Sequence, residues 1–301
     1  MPAPQIAFIT PPATPAWKRW LVLSPVARIV FFAAMLIAFG FLINTLVSMS
    51  AWGMKSATPL QHSLGTLTVR LLPAVLSYLV LVKLVERRSP GELAGPDVFT
   101  FGAAGLIGGA LLFSLVVGLL WLVGSYHITG TNPQVDWVPA VLVAGIGAGI
   151  GEEIMVRGVL FRISEEGLGT WWALVISALF FGAAHIANPA ATLWSSSAIA
   201  VEAGVLLALL YVVTRSLWTC IGLHAAWNIM QGTVYGIPVS GTKADGGLVS
   251  QRTGPDWLSG GAFGAEASVV ALAACLTLSA ILLLIALRRR LIVRPAWRRT
   301  R

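Results

Sequence analysis

Five stretches of the chain, residues 29–54, 98–135, 167–201, 216–242 and 267–287, contain no Asp, Glu, Lys or Arg. About 20 apolar residues cross the hydrocarbon core of a bilayer as a helix, so each stretch has room for at least one span. A 301-residue chain that is 57% hydrophobic and only 11% charged, with a mean hydropathy of +0.83, is neither a soluble globular protein nor a disordered one. A closed barrel would show alternating segments of about ten residues. Here the apolar runs are continuous and rich in Leu, Ala, Val and Gly, and within such a run only a helix satisfies its own backbone. The expected fold is all-α and polytopic.

Shorter candidates at 64–85, 137–161 and 198–214 bring the count to about eight transmembrane helices, with Arg70 and Lys83 snorkelling from the ends of the first. Loops are marked by Gly130, Asn132 and Pro133, by Asn188 and Pro189, and by the Gly-rich stretch from Gly236 to Gly261. With a cytoplasmic N-terminus, this path puts Lys18, Arg19, Arg28, Lys83, Arg87, Arg88, Arg157, Arg162, Arg215 and the seven arginines from Arg288 to Arg301 on the cytoplasmic side. That is sixteen of the twenty basic residues. Lys55, Arg70, Lys243 and Arg252 fall on the other side, the asymmetry expected of positive-inside topology.

The net charge of +8 therefore points to membrane lipid and not to nucleic acid. A multi-pass protein of a prokaryotic-type plasma membrane is expected, with both termini cytoplasmic. Residues 1–28 form an N-terminal segment, 29–287 a single transmembrane domain and 288–301 a basic, lipid-touching tail. The first apolar run is too long for a signal-peptide core and reads as a retained helix. Trp20, Trp52, Trp121, Trp137, Trp171, Trp194 and Trp218 fall near helix ends, as in an interfacial belt. Cys220 and Cys275 both lie in apolar stretches and read as small core residues.

A charge at mid-bilayer costs roughly 2.5–3.5 kcal/mol on insertion scales, so ionisable groups inside spans are functional candidates by default. The fourth helix carries Glu152, Glu153 and Arg157, the fifth His185, the sixth Glu202, and the seventh His224 with Asn228. Glu153 and Arg157 are four apart and can pair along one helix face. Glu152 is turned about 100° from Glu153 and stays free for chemistry. His224 and Asn228, also four apart, project together as two hydrogen-bond donors. Phe181, four before His185, packs on or covers it. Glu202 reads as an interfacial group near the outer end of its helix, while His62 and His127 fall in loops or span ends without evident partners.

Such a set needs a polar cavity, and the cavity suits peptide hydrolysis. A carboxylate takes a proton from water while an imidazole orients that water or returns the proton to a leaving amine, a task that fits Glu152 with His185. Fixed donors stabilise negative charge growing on the carbonyl oxygen, which fits His224 and Asn228. Glu152, His185 and His224 equally form a two-histidine, one-carboxylate set of the kind that holds Zn2+ with water in the open position; the metal-free version requires no cofactor. Neither a His-Glu-x-x-His pair nor two intramembrane aspartates occur. Counted from the cytoplasmic ends, His224 lies about seven residues into its helix and His185 about fourteen. That is a depth difference near 10 Å, which helix tilt would have to close.

In order, Glu152-Glu153 to Arg157, Phe181 to His185, and His224 to Asn228 read as Glu-Glu-x-x-x-Arg, Phe-x-x-x-His and His-x-x-x-Asn on helices 4, 5 and 7. With these motifs the chain resembles the CAAX-protease and bacteriocin-processing family (CPBP, or Abi) of intramembrane endopeptidases, over a core at about 137–234. The resemblance implies a membrane-embedded peptidase, described in that family as either metallo- or glutamate-dependent, in which Glu152 and His185 activate water and His224 and Asn228 form the oxyanion site. It also implies that Glu153 and Arg157 support the helix and hold Glu152 in place. The implied substrate is a membrane-associated peptide or protein. Readings from other classes are a proton-coupled transporter, since buried Glu and His also relay protons, and a catalytically idle scaffold or bacteriocin-immunity factor.

Overall fold

The computed structural model describes residues 6–299; Arg301 of the basic tail lies outside them. After a short helical turn at Ala16–Leu21, Ser24 accepts a hydrogen bond from the Ala27 N–H and Pro25 occupies the first helical position, so the first long helix starts four residues before the charge-free run. This α1, Pro25–Met49, is about 37 Å long, enough to span with some tilt. A capping box between Thr58 and Gln61 starts α2, Pro59–Val85. There follow α3 (Val98–Leu122), α4 (Trp137–Leu168), α5 (Thr170–Ala187), α6 (Leu193–Thr214), α7 (217–234) and α8 (Val269–Arg288). All except α7 are long and apolar enough to cross a membrane. The protein is thus an all-α, polytopic integral membrane protein.

The less apolar α7 carries His224, Asn228 and Gln231, and the fold accommodates them by burying it. Small residues bring it against α3. A Cβ added at Gly105 would lie 2.3 Å from the Thr219 carbonyl oxygen, and one at Gly109 2.3 Å from that of Leu223. Close backbone approach of this kind replaces the hydrophobic drive that lipid cannot supply between helices.

The chain alternates between two faces, and each face is tied internally. On one, β1 (Tyr126–Thr131) pairs antiparallel with β2 (Leu248–Arg252), joining the α3–α4 and α7–α8 connections with an irregularity between Ile128 and Gly130. On the other, α4 passes into α5 through Gly169 alone, at φ +81°, a region open to glycine. The C-terminal segment docks on this turn: Thr170 Oγ1 accepts from the Val293 N–H at 2.9 Å, and a Cβ at Gly169 would meet the Val293 carbonyl oxygen at 2.8 Å. The tail is therefore only partly a lipid-facing arm, since Val293 is buried while Arg288, Arg289, Arg290 and Arg294 are exposed.

Arg28, expected in the flanking segment, lies inside α1 and is buried, binding Glu86 at 2.7 Å and Glu166 at 2.5 Å. Arg162 binds the same two carboxyls, each at 2.9 Å, and Arg88 binds Glu86 and Glu92, both at 2.7 Å. Arg215 pairs with Glu165, which also accepts from the Thr170 hydroxyl. These bonds knit α1, the α2–α3 connection, the end of α4 and the α6–α7 turn into one ionic layer.

Candidate active site

In α4 the α-helical segment Ala148–Glu153 is bracketed by wider π-type turns at Ala140–Gly147 and Ile154–Phe161, a local widening that recurs at functional sites. Glu153 is fully buried. Its Oε1 accepts from Arg157 Nη1 at 2.9 Å, as the spacing predicts, and also from His224 Nδ1 at 2.9 Å. Arg157 reaches across to α6, donating to the carbonyls of Ala203 at 2.6 Å and Gly204 at 3.1 Å, with its guanidinium 5.0 Å from the Phe181 ring. It therefore sits in the interior beside the site and not at the cytoplasmic end of its helix, where the charge pattern puts it.

The Phe181 ring packs on His185 at a centroid distance of 4.6 Å and meets His224 edge-on at 6.2 Å. At the end of α5, where the helix tightens into a 3-10 turn, His185 Nδ1 stands 2.8 Å from the Phe181 carbonyl oxygen. A carbonyl only accepts, so Nδ1 carries the hydrogen and neutral His185 presents an unprotonated Nε2. For His224 the Glu153 carboxylate fixes Nδ1–H in the same way; its Nε2 faces Glu152 Oε2 at 3.9 Å and bears a hydrogen only in the imidazolium form. Asn228 Nδ2 donates to the Ala144 carbonyl at 2.9 Å, which orients the amide and leaves one N–H over.

Glu152, His185, His224 and Asn228 all line one chamber of about 800 Å3. The expected depth mismatch between the two histidines does not keep them apart. The imidazole that approaches Glu152 is His224, assigned from sequence to the oxyanion role. Five exposed groups complete the chamber: His62 and Arg70 of α2, Asp136 before α4, and Lys243 and Asp245 of the α7–α8 connection. His62 thus faces the site, and Arg70 lines it without snorkelling from a helix end. His127 also has partners, with Nε2 2.9 Å from the Gly124 carbonyl and 3.2 Å from Thr253 Oγ1.

Behind the histidines a second cavity of about 40 Å3, room for two or three waters, shares His185, His224, Asn228 and Ser240 with the chamber. Glu202 and Glu266 line it. The interfacial position expected for Glu202 is wrong: it is 3% exposed, and neither carboxyl oxygen has a hydrogen-bond partner. Glu266 accepts from the Ser240 N–H, yet burial pushes its carboxyl up to about 7. Sequence singles out neither Glu266 nor Ser240 and offers only the Gly-rich segment near residues 236–265 as a gate or cover for the site, because both residues belong to an irregular connection whose path only the packing determines. Among the described residues no three His, Cys, Asp or Glu side chains stand close enough together to hold a metal ion, so the Glu152, His185 and His224 set does not form a ready ligand cage.

The protein is a polytopic helical membrane protein with carboxylates and imidazoles around one chamber. Residues 134–230, about a third of the chain, match the family model described as Rce1-like, type II CAAX prenyl endopeptidase, so the chain carries a domain of the CAAX-protease family. This stretch holds all three motifs and the four chamber residues named above. No curated protein and no solved structure matches the chain.

Proposed function

We propose that this protein is an intramembrane endopeptidase that hydrolyses a peptide bond of a membrane-associated peptide or protein. One observation carries the reading: Glu152, His185, His224 and Asn228, from three helices, surround a single chamber, with His224 Nε2 3.9 Å from Glu152 Oε2. Glu152, the more accessible of the paired glutamates, removes a proton from water as the oxygen attacks the carbonyl carbon. His185 Nε2 helps to orient that water. His224, as an imidazolium held by Glu153, donates its Nε2–H to the developing oxyanion together with the remaining Asn228 N–H. Collapse of the tetrahedral species breaks the C–N bond, and the proton taken from water passes to the leaving amine. Arg157 offsets the charge of Glu153 and keeps that carboxylate aimed at His224. No step is assigned to a metal, and none of these residues needs one for its part.

The charge asymmetry supports placing both termini in the cytoplasm; on this reading the single transmembrane domain sits in a prokaryotic-type plasma membrane, with lipid as its surroundings and no nucleic-acid partner. Comparing the termini of membrane and secreted peptides with and without active protein tests the function. Cleavage products that vanish with Glu152→Ala, His185→Ala and His224→Ala, in folded and inserted protein, are the expected result. Parental cleavage by purified Glu152→Ala would remove the assigned base, and solute-coupled proton flux lost in the same variants would replace the reading by transport.

A further inference from the structure

The chamber runs from one end of the helices that line it into their middles, where Arg70, Glu152 and His224 stand. Its other exposed ionisable groups come from the start of α2 (His62), the residue before α4 (Asp136) and the connection after α7 (Lys243, Asp245), and His185 closes α5. In a chain that alternates faces, these ends share one side. The β1–β2 pairing shows this independently, because it joins the α3–α4 and α7–α8 connections directly. The opposite side is tied just as directly, through Arg28 to Glu86 and Glu166 and through Val293 to Thr170. Among described basic residues only Lys55, Arg70, Lys243 and Arg252 stand on the chamber's side; Arg157 is interior and the others belong to the opposite side.

Positive charge of this asymmetry in short connections and at helix ends marks the cytoplasmic face. We infer that the catalytic chamber opens to the extracytoplasmic side, and that the substrates are peptide segments presented there: exported peptides or the outer ends of membrane proteins. The inference rests on the peptidase reading for the cleavage itself and on the fold alone for the side. The chamber's size also restricts the substrate, since about 800 Å3 is the volume of a site for a small ligand. It takes a few residues of extended chain and no folded domain. Arg70 and Lys243 against Asp136 and Asp245 give its accessible part both signs of charge, so selection by net peptide charge is weak.

Oriented vesicles separate the two foundations. In right-side-out vesicles a membrane-impermeant maleimide should label Lys243→Cys fully before permeabilisation, whereas Arg290→Cys should label only after it; Cys220 and Cys275 are buried and give the background. An impermeant library of short unstructured peptides added outside should be cut, in a Glu152-dependent way, without permeabilisation. Labelling of Lys243→Cys only from the inner side, or cleavage only in inverted vesicles, overturns the inference. Outer labelling with no Glu152-dependent cleavage, in vesicles or in detergent, leaves the orientation standing and overturns the peptidase reading together with the substrate class.

Discussion

Two groups of buried charges share this molecule and are built on opposite rules. In the ionic layer every carboxyl oxygen of Glu86, Glu92 and Glu166 has a partner: Arg28, Arg88 and Arg162 divide them among themselves, and the Tyr78 hydroxyl donates to Glu92 at 2.6 Å. Around the chamber satisfaction stops short. Glu152 keeps a third of its side chain exposed, its nearest cationic partner is a histidine at 3.9 Å, one oxygen of Glu153 has no partner, and neither does Glu202. Removing charge from water is costly unless it is paired and hydrogen-bonded. The layer meets that condition at all its carboxyl oxygens, with only Arg28 Nε left over, and fixes helix ends, while the chamber leaves carboxyl oxygens unpaired. Incomplete pairing, more than burial, distinguishes the chamber's charges from those of the layer, and on the proposed reading it is what leaves Glu152 free to react.

The largest effect that would sharpen this contrast is chemical. Glu152→Gln keeps the shape and removes the base, so cleavage by purified protein should fall by about 10²–10⁴-fold while the thermal midpoint in detergent stays where it was. A lowered midpoint with proportionate loss of activity would instead place Glu152 among the structural charges. Arg162→Met should behave in the reverse manner. It leaves Glu166 Oε1 without a partner and takes from Glu86 one of the three arginines that bind it, at a cost of up to about 3–5 kcal/mol, seen as a fall in the thermal midpoint, while the protein that remains folded keeps its turnover. Unchanged stability would break the distinction from the other side.

How much of this the sequence shows depends on the range over which each contact is determined. The Glu153–Arg157 pair and the stacking of Phe181 on His185 follow from helical spacing within one element, and both occur at the expected positions. The second partner of Glu153 is His224, 71 residues on; it depends on how α7 is drawn in by the glycines of α3, and periodicity carries no record of that. The ionic layer is hidden for the same reason, because Arg28, Arg88 and Arg162 look like ordinary cytoplasmic flanking charges until the tertiary fold brings glutamates to them. Glu202 misleads because its distance from a helix end suggests an interface, whereas α8 and the α7–α8 connection cover it. The second cavity records this cover, with Cys275 and Glu266 in its lining.

A smaller effect is expected at Glu202. Its carboxyl is buried without a partner, a condition that costs about 1–3 kcal/mol, so Glu202→Leu should raise the thermal midpoint. Destabilisation would reveal a partner and move Glu202 into the paired class.

The smallest effect is in pH dependence, where Glu86 and Glu92 should differ in sign from Glu266. Burial opposes ionisation of Glu86 and Glu92, but Arg162 and Arg88 outweigh it for both, with Arg28 adding to the effect on Glu86, and hold both carboxyls below their usual range. The unfolded chain therefore binds the extra protons in acid, and the stability these groups contribute, present above about pH 4.5, is lost as pH falls through their folded values. Glu266 is shifted the other way, from 4.5 to about 7, by burial. Between those values the folded protein binds the extra proton, so its contribution is present at low pH and is lost as pH rises toward 7. Thermal midpoints measured from pH 2 to 8 should show Glu266→Gln flattening only the decline between about 4.5 and 7 and leaving the acid limb intact. A variant that instead altered the acid limb would place Glu266 with Glu86 and Glu92 and erase the contrast between them.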